Sequence, residues 1–124
     1  MNSPQSAYLE SSVATASPAR LLVMLCDRMV LDLTRGLEAQ KTGDTAAAHR
    51  ELLHAQEIVL ELRTSLDMDA WSGAPALANL YGWMLTELIG ANIAKDADRV
   101  AACRALVEPQ RDAWREAAAA AVAG

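Results

Sequence analysis

Apolar residues recur along this chain at alternating steps of four and three, which places them on one face of an α-helix. Two runs keep this spacing without a break: Leu22, Cys26, Met29, Leu33 and Leu37, followed by Ala48, Leu52, Ala55, Val59, Leu62 and Leu66. A later run keeps mostly to one face with Val100, Cys103, Val107, Trp114 and Ala117. The pattern predicts helices and no strands.

Residues that start or stop helices divide the pattern into four segments. Ser17-Pro18 and Pro75 suit the first turn of a helix, Asp44 and Asp96 suit N-caps, and Gly43 marks an end. The predicted helices are 18–41, 45–66, 74–94 and 97–119. Because the connections are short, we expect an all-α, antiparallel four-helix bundle. Residues 1–16 are expected to form a short N-terminal arm or helix of this single domain, 1–124.

The third predicted helix lacks the polar face that a solvated bundle helix needs. Between Ala74 and Ala94 its one charged residue is Glu87. One interpretation is a central helix covered by its neighbours. Another is a partner-binding groove, because large exposed apolar patches are rare on monomers. A third is a structural homodimer or adaptor in which a second copy buries that face.

Composition and charge exclude several classes of function. The 124 residues have a formal charge of -5 and no basic cluster that would follow a phosphate backbone, so nucleic acid is not an expected ligand. The start of the chain has no signal-peptide pattern, and residues 70–94 are too polar for a span, so we expect a cytoplasmic protein without membrane insertion. Cys26 and Cys103 are expected to be buried thiols.

Catalytic and metal-binding arrangements find little support in the sequence. His54, Glu57 and Glu61 resemble part of a carboxylate-bridged metal site, but a second Glu-x-x-His pair is missing, so surface residues are the favoured interpretation. Two histidines and two apolar-face cysteines offer no convincing nucleophile and base. We therefore expect no enzyme activity, no cofactor and no metal.

Short motifs in a fixed order point to a known family. The chain is similar to the FliS family of flagellin export chaperones through Tyr8, Thr15-Ala16-Ser17-Pro18, Leu21-Leu22-Val23-Met24-Leu25, Gly43-Asp44, Ala55-Gln56, the segment 61–68, Asn79-Leu80-Tyr81-Gly82-Trp83-Met84, Ala91-Asn92 and Trp114. The resemblance extends from Tyr8 to about residue 116. It departs at Cys26, Asp27 and Arg28, where the family usually has an aromatic residue and an acidic-Gly pair, and at Gly82-Trp83.

The resemblance implies a cytosolic export chaperone, a monomer or weak homodimer. It would bind the C-terminal segment of flagellin, prevent premature polymerisation and assist flagellar type III export, with an export gate component as a further candidate partner. The apolar outer face of the third helix, with the second, would be the groove. Expected partner-binding residues are Tyr8, Leu9, Ile58, Val59, Leu62, Leu66, Leu77, Leu80, Tyr81, Met84 and Leu88, the first two as an arm that caps the groove.

Overall fold

The computed structural model describes residues 18–69 and 72–123, and these form four helices. They are α1 (Pro18–Thr42), α2 (Thr45–Ser65), α3 (Ala74–Ala94) and α4 (Ala97–Ala123). The predicted all-α fold is confirmed. None of the helices combines the length and apolar character of a membrane span. The predicted arm, with Tyr8 and Leu9, lies outside the described residues.

Two turns are closed by the residues expected to cap the following helices. The Asp44 carboxylate accepts a hydrogen bond of 3.1 Å from the Ala47 amide at the start of α2. Asp96 accepts hydrogen bonds from the amides of Asp98 and Arg99 at the start of α4. Each cap satisfies amides that have no partner inside the helix, which fixes where the helix begins.

The fourth helix runs further than its sequence pattern indicated. It ends at Ala123 and not at residue 119, because the closing alanines have the highest intrinsic helix propensity. Pro109 lies inside α4 without ending it. The chain therefore has a long fourth helix that lies alongside α1.

The four helices enclose one core. Both α1 and α3 pack against α2 and α4, and the connections between consecutive helices are short, as in an up-and-down bundle. Each helix contributes one stripe of buried side chains: Cys26, Met29, Leu33 and Leu37 from α1; Ala48, Leu52, Ala55, Val59 and Leu62 from α2; Tyr81, Met84, Leu88 and Ala91 from α3; Val100, Cys103 and Val107 from α4.

Helix α3 is not a central helix. It packs against two neighbours, and no other described helix covers its far side, where Trp83 is 45% and Ile93 is 79% exposed. The interpretation that the neighbouring helices cover its apolar outer face is therefore wrong for the described part of the chain.

A buried carboxylate joins α1 to α2. Asp32 is fully buried, and its Oδ2 forms a hydrogen bond with Nδ1 of His54. The Nε of Arg28 lies 3.1 Å from Asp32 Oδ1. Burial raises the pKa of Asp32, and the hydrogen bond and charge of His54 and the charge of Arg28 oppose that effect. Since burial dominates, the charged form of Asp32 costs stability.

Replacing Asp32 with Asn is expected to stabilise the chain at about pH 7 and to change little near pH 3. With its folded-state pKa raised, Asp32 contributes fully to stability below its unfolded pKa of 3.8, and this contribution is lost as pH rises through the folded value. Asn is neutral at every pH and escapes this loss. Urea unfolding of the parent protein and the variant at both pH values measures the difference in their free energies of unfolding. A less stable variant at neutral pH would show that the ion pairs outweigh burial.

The two thiols are expected to be inert in the folded protein. Cys26 and Cys103 are free and buried, and burial raises the pKa of each to about 11. At pH 8 about one thiol in a thousand would then be the reactive thiolate. We expect no prompt reaction with a thiol reagent such as DTNB, and reaction of both cysteines after unfolding in guanidinium. Rapid labelling of the native protein would contradict the buried placement.

Candidate partner-binding surface

A groove runs between α2 and α3, and two contacts fix which residues border it. Asn92 of α3 is 2.9 Å from His49 of α2 at one end. At the other end the Arg63 guanidinium lies over Gly82, where an added Cβ would be 3.4 Å from Arg63 Cζ. The steps of four and three between these contacts define the α2–α3 groove: His49, Leu53, Gln56, Leu60 and Arg63 on α2, and Ala78, Gly82, Leu85, Ile89 and Asn92 on α3.

Large apolar side chains are exposed along this groove. Leu53 and Leu60 are 43% and 52% exposed, and Ile89 across the groove is 43% exposed. The outer face of α3 continues the same surface with Asn79, Trp83, Thr86, Gly90 and Ile93, none of which is charged. Apart from His49 and Arg63 at the two ends of the groove, these residues are uncharged and form a largely apolar surface along the length of α3. Such a surface is typical of a protein interaction site.

The one charged residue of α3 is neutralised by α4. Glu87 accepts hydrogen bonds from Arg99 Nε at 2.9 Å and from Nη2 at 3.4 Å. The Arg99 guanidinium lies over Gly90, whose missing side chain leaves room for it. The ion pair covers part of the α3 backbone and leaves no uncompensated charge on that side of the helix. The seam between α3 and α4 is therefore closed and electrically neutral.

A cavity of about 280 Å³ lies at one end of the bundle. The start of α1, the end of α2, the start of α3 and the later part of α4 meet there. Most of its lining is apolar, and the residues are Leu21, Leu22, Leu25, Leu62, Leu66, Leu77, Tyr81 and Trp114 with Glu61, Ser65 and Asp67. A space of this size and lining accepts one or two apolar side chains.

Two polar atoms border the cavity without a hydrogen-bond partner among the described residues. They are the Tyr81 hydroxyl and the Trp114 indole Nε1, and both are buried. Burial, together with the nearby Cys26, raises the pKa of Tyr81 to about 12, so its hydroxyl keeps its proton. Both groups can donate a hydrogen bond but have no acceptor among the described residues. An occupant that brings acceptor oxygens as well as apolar groups would therefore gain hydrogen bonds as well as burial.

The structure divides the predicted binding residues into two groups. Leu62, Leu66, Leu77 and Tyr81 line the end cavity. Ile58, Val59, Met84 and Leu88 are buried in the core beneath the groove, and Leu80 is half-buried against that core. The core residues support the surface from below, and a ligand reaches them only if the bundle opens. Their contact with a partner stays a prediction.

Sequence reasoning missed the residues that present the most accessible apolar surface. In α2 the pairs Leu52-Leu53 and Val59-Leu60 each combine a buried residue with an exposed one. The signal was present, because a second apolar stripe one position beyond the core stripe widens the apolar face past what packing needs. Of the other cavity residues, Leu22 and Trp114 lie on the predicted apolar stripes and Leu21 and Leu25 lie in a family motif, but none was predicted to bind a partner.

The described residues include no candidate metal site. No cluster of three or more His, Cys, Asp or Glu side chains suited to a metal ion occurs among them. His54, the residue at the centre of the metal hypothesis, is not a free surface residue, because its Nδ1 is engaged with Asp32. Its role is to hold α2 to α1.

Proteins of known family match both this sequence and this fold. The chain is 30% identical over 117 residues to the flagellar secretion chaperone FliS of Bacillus subtilis, which covers 94% of this chain and 87% of the relative. It is 31% identical over 110 residues to the protein of the same name from Salmonella typhimurium, covering 87% and 82%. A solved flagellar chaperone from bacteria superimposes with a TM-score of 0.75 at 17% identity, over 92% of this chain and 97% of that one.

The family model described as flagellar protein FliS matches residues 1–121, which is nearly the whole chain. The exposed apolar surface of α2 and α3 agrees with a protein that works by binding another protein. The chain belongs to the FliS family of flagellar secretion chaperones, which are not enzymes.

Proposed function

We propose that this chain binds the C-terminal segment of flagellin in the cytoplasm, keeps it from polymerising and assists its delivery to the flagellar type III export gate. Family membership supplies the class of function. The observation that supports a protein client is the largely apolar surface formed by the α2–α3 groove and the outer face of α3, with Arg63 at one end. A component of the export gate is a further candidate partner.

The mechanism follows from competition for one surface. An amphipathic helix of the client lays its apolar face along the α2–α3 groove, which satisfies both apolar surfaces at once. While that face is occupied it cannot pack against other flagellin molecules. A client segment without stable structure of its own would order on the chaperone and pay the entropy of ordering at that moment. Release then requires only that the segment be drawn away.

The end cavity gives the client a second point of attachment. It is bordered by four residues of the predicted binding set, Leu62, Leu66, Leu77 and Tyr81. An apolar side chain inserted there would bring its own backbone carbonyl near the unpaired donors of Tyr81 and Trp114. Ile58, Val59, Met84 and Leu88 form the floor of the surface, and we propose for Tyr8 and Leu9 that they cover it in the free chaperone.

Leu60→Asp is expected to weaken binding of the recombinant C-terminal segment of the flagellin encoded in the same genome by at least about tenfold. The substitution places a charge in the middle of the groove, where an apolar client helix would desolvate it. Leu31→Asp is the matched control, because Leu31 is 38% exposed on α1, which does not border the groove. Isothermal titration calorimetry measures the affinities.

Circular dichroism of each variant shows whether the bundle is intact, and the spectrum of the mixture shows whether the client gains helix. Equal affinities for Leu60→Asp and the parent protein would remove the groove from the binding surface. A folded parent protein that binds no flagellin segment would remove flagellin as the client. In that event, a dimer that persists on dilution in light scattering would favour the homodimer instead.

A further inference from the structure

Two arginines lie across α3 in the same manner, one from each flanking helix. Arg63 of α2 lies over Gly82, and Arg99 of α4 lies over Gly90. An added Cβ at Gly90 would clash with the Arg99 guanidinium, whereas at Gly82 it would make an ordinary contact of 3.4 Å with Arg63 Cζ. The two positions form a pair in one structure, on the two sides of α3.

The two arginines differ in whether a carboxylate compensates their charge. Arg99 is paired with Glu87 through two hydrogen bonds, of 2.9 and 3.4 Å. The Arg63 guanidinium has neither an ion pair nor a hydrogen bond within the described ranges 18–69 and 72–123. The α3–α4 side is consequently neutral, and the α2–α3 side carries one uncompensated positive charge.

This charge stands at the end of an apolar run. Leu53 and Leu60 precede Arg63 on the groove side of α2, and Ile89 faces them from α3. A helix lying on these side chains would present its next turn to the guanidinium. Arginine is also the cation best suited to a carboxylate, because its planar fork offers parallel N–H donors.

Arg63 is a positive charge on a chain whose net charge is negative. With a formal charge of -5 the protein repels acidic groups in general. The surface of α3 is neutral and has no carboxylate other than Glu87, which is already paired. Among the ten groove positions Arg63 is the one arginine or lysine, so a client carboxylate in the groove finds its attraction there.

We infer that Arg63 is an anion-binding position of the α2–α3 groove, which takes an Asp or Glu side chain on the client helix about one turn beyond its apolar stripe. This inference rests on the proposed function and adds to it the chemistry of the partner. The client is an amphipathic helix whose apolar face is followed by a carboxylate at the Arg63 end. The contact fixes the direction and register in which that helix lies.

A second copy of this chain fits the position less well. In a twofold dimer formed through the groove, an axis along the groove would set Arg63 against Arg63 of the other copy, and an axis across the groove would set the Arg63 end of one copy against the opposite end of the other. The groove residues there are His49 and Asn92, neither of which carries a carboxylate. Such a dimer would bury a guanidinium without a counter-charge, which is costly.

Calorimetric titration with the recombinant C-terminal flagellin segment tests the inference through Arg63→Gln. We expect the dissociation constant to rise about 5- to 10-fold, the range for losing a partly exposed charge-assisted hydrogen bond. Arg35→Gln is the matched control. Arg35 is exposed on α1, away from the groove, and Arg35→Gln removes the same charge. The affinity of this variant for the segment should therefore stay within about twofold of the parent's.

Client variants then identify the carboxylate. Each Asp or Glu of the segment is changed in turn to Asn or Gln and titrated against the parent chaperone and Arg63→Gln. One carboxylate should lose affinity with the parent and lose almost nothing with Arg63→Gln, which is the signature of a direct pair. Tight parent binding that Arg63→Gln leaves unchanged, or that Arg35→Gln weakens equally, would overturn the anion position alone. Absence of binding by the folded parent would overturn the proposed client together with it.

Discussion

The packing of one apolar stripe from each helix is the interaction on which the rest of this structure depends. Leu33, Leu52, Leu88 and Val100 are fully buried, one on each helix, so the four stripes meet in a single core. Each stripe uses a limited arc of its helix. In α1 and α4 much of the remaining surface is charged, whereas in α3 it is apolar or neutral. The candidate partner-binding surface is what core packing leaves uncovered on α3 and on the adjoining edge of α2.

Stability and the proposed binding are linked because some residues belong both to the core and to the end cavity. Tyr81 is buried in the core and also borders the end cavity, and Leu62 does the same from α2. The Tyr81 hydroxyl and the Trp114 indole N–H have no hydrogen-bond partner in the described chain, which costs free energy in the unliganded state. An occupant that supplies acceptors would recover that cost. Any ligand that binds only the folded bundle also stabilises it by mass action.

The sequence predicted the helices and the core well, because both depend on local spacing. The caps at Asp44 and Asp96 and the buried residues of α2 follow from residue type and periodicity. Asp32 was missed, because a carboxylate next to the core residue Leu33 is expected to face solvent, and its partner His54 lies on another helix.

Of the candidate site, the apolar character of α3 was predictable. The pairing of Arg99 and the isolation of Arg63 were not, because both depend on contacts between helices.

The two parts of the candidate surface meet at the end of α2. Leu62 and Leu66 line the end cavity, while Leu60 and Arg63 border the groove, so neighbouring positions on the same turns serve both. A client that places a helix in the groove has its next residues close to the cavity, and the second contact then forms within one complex. The entropic cost of this second contact is reduced because the effective concentration of the tethered segment is high. Arg63, at the junction, would decide which end of the client helix faces the cavity. The arrangement favours an extended client of more than one segment over a single short helix.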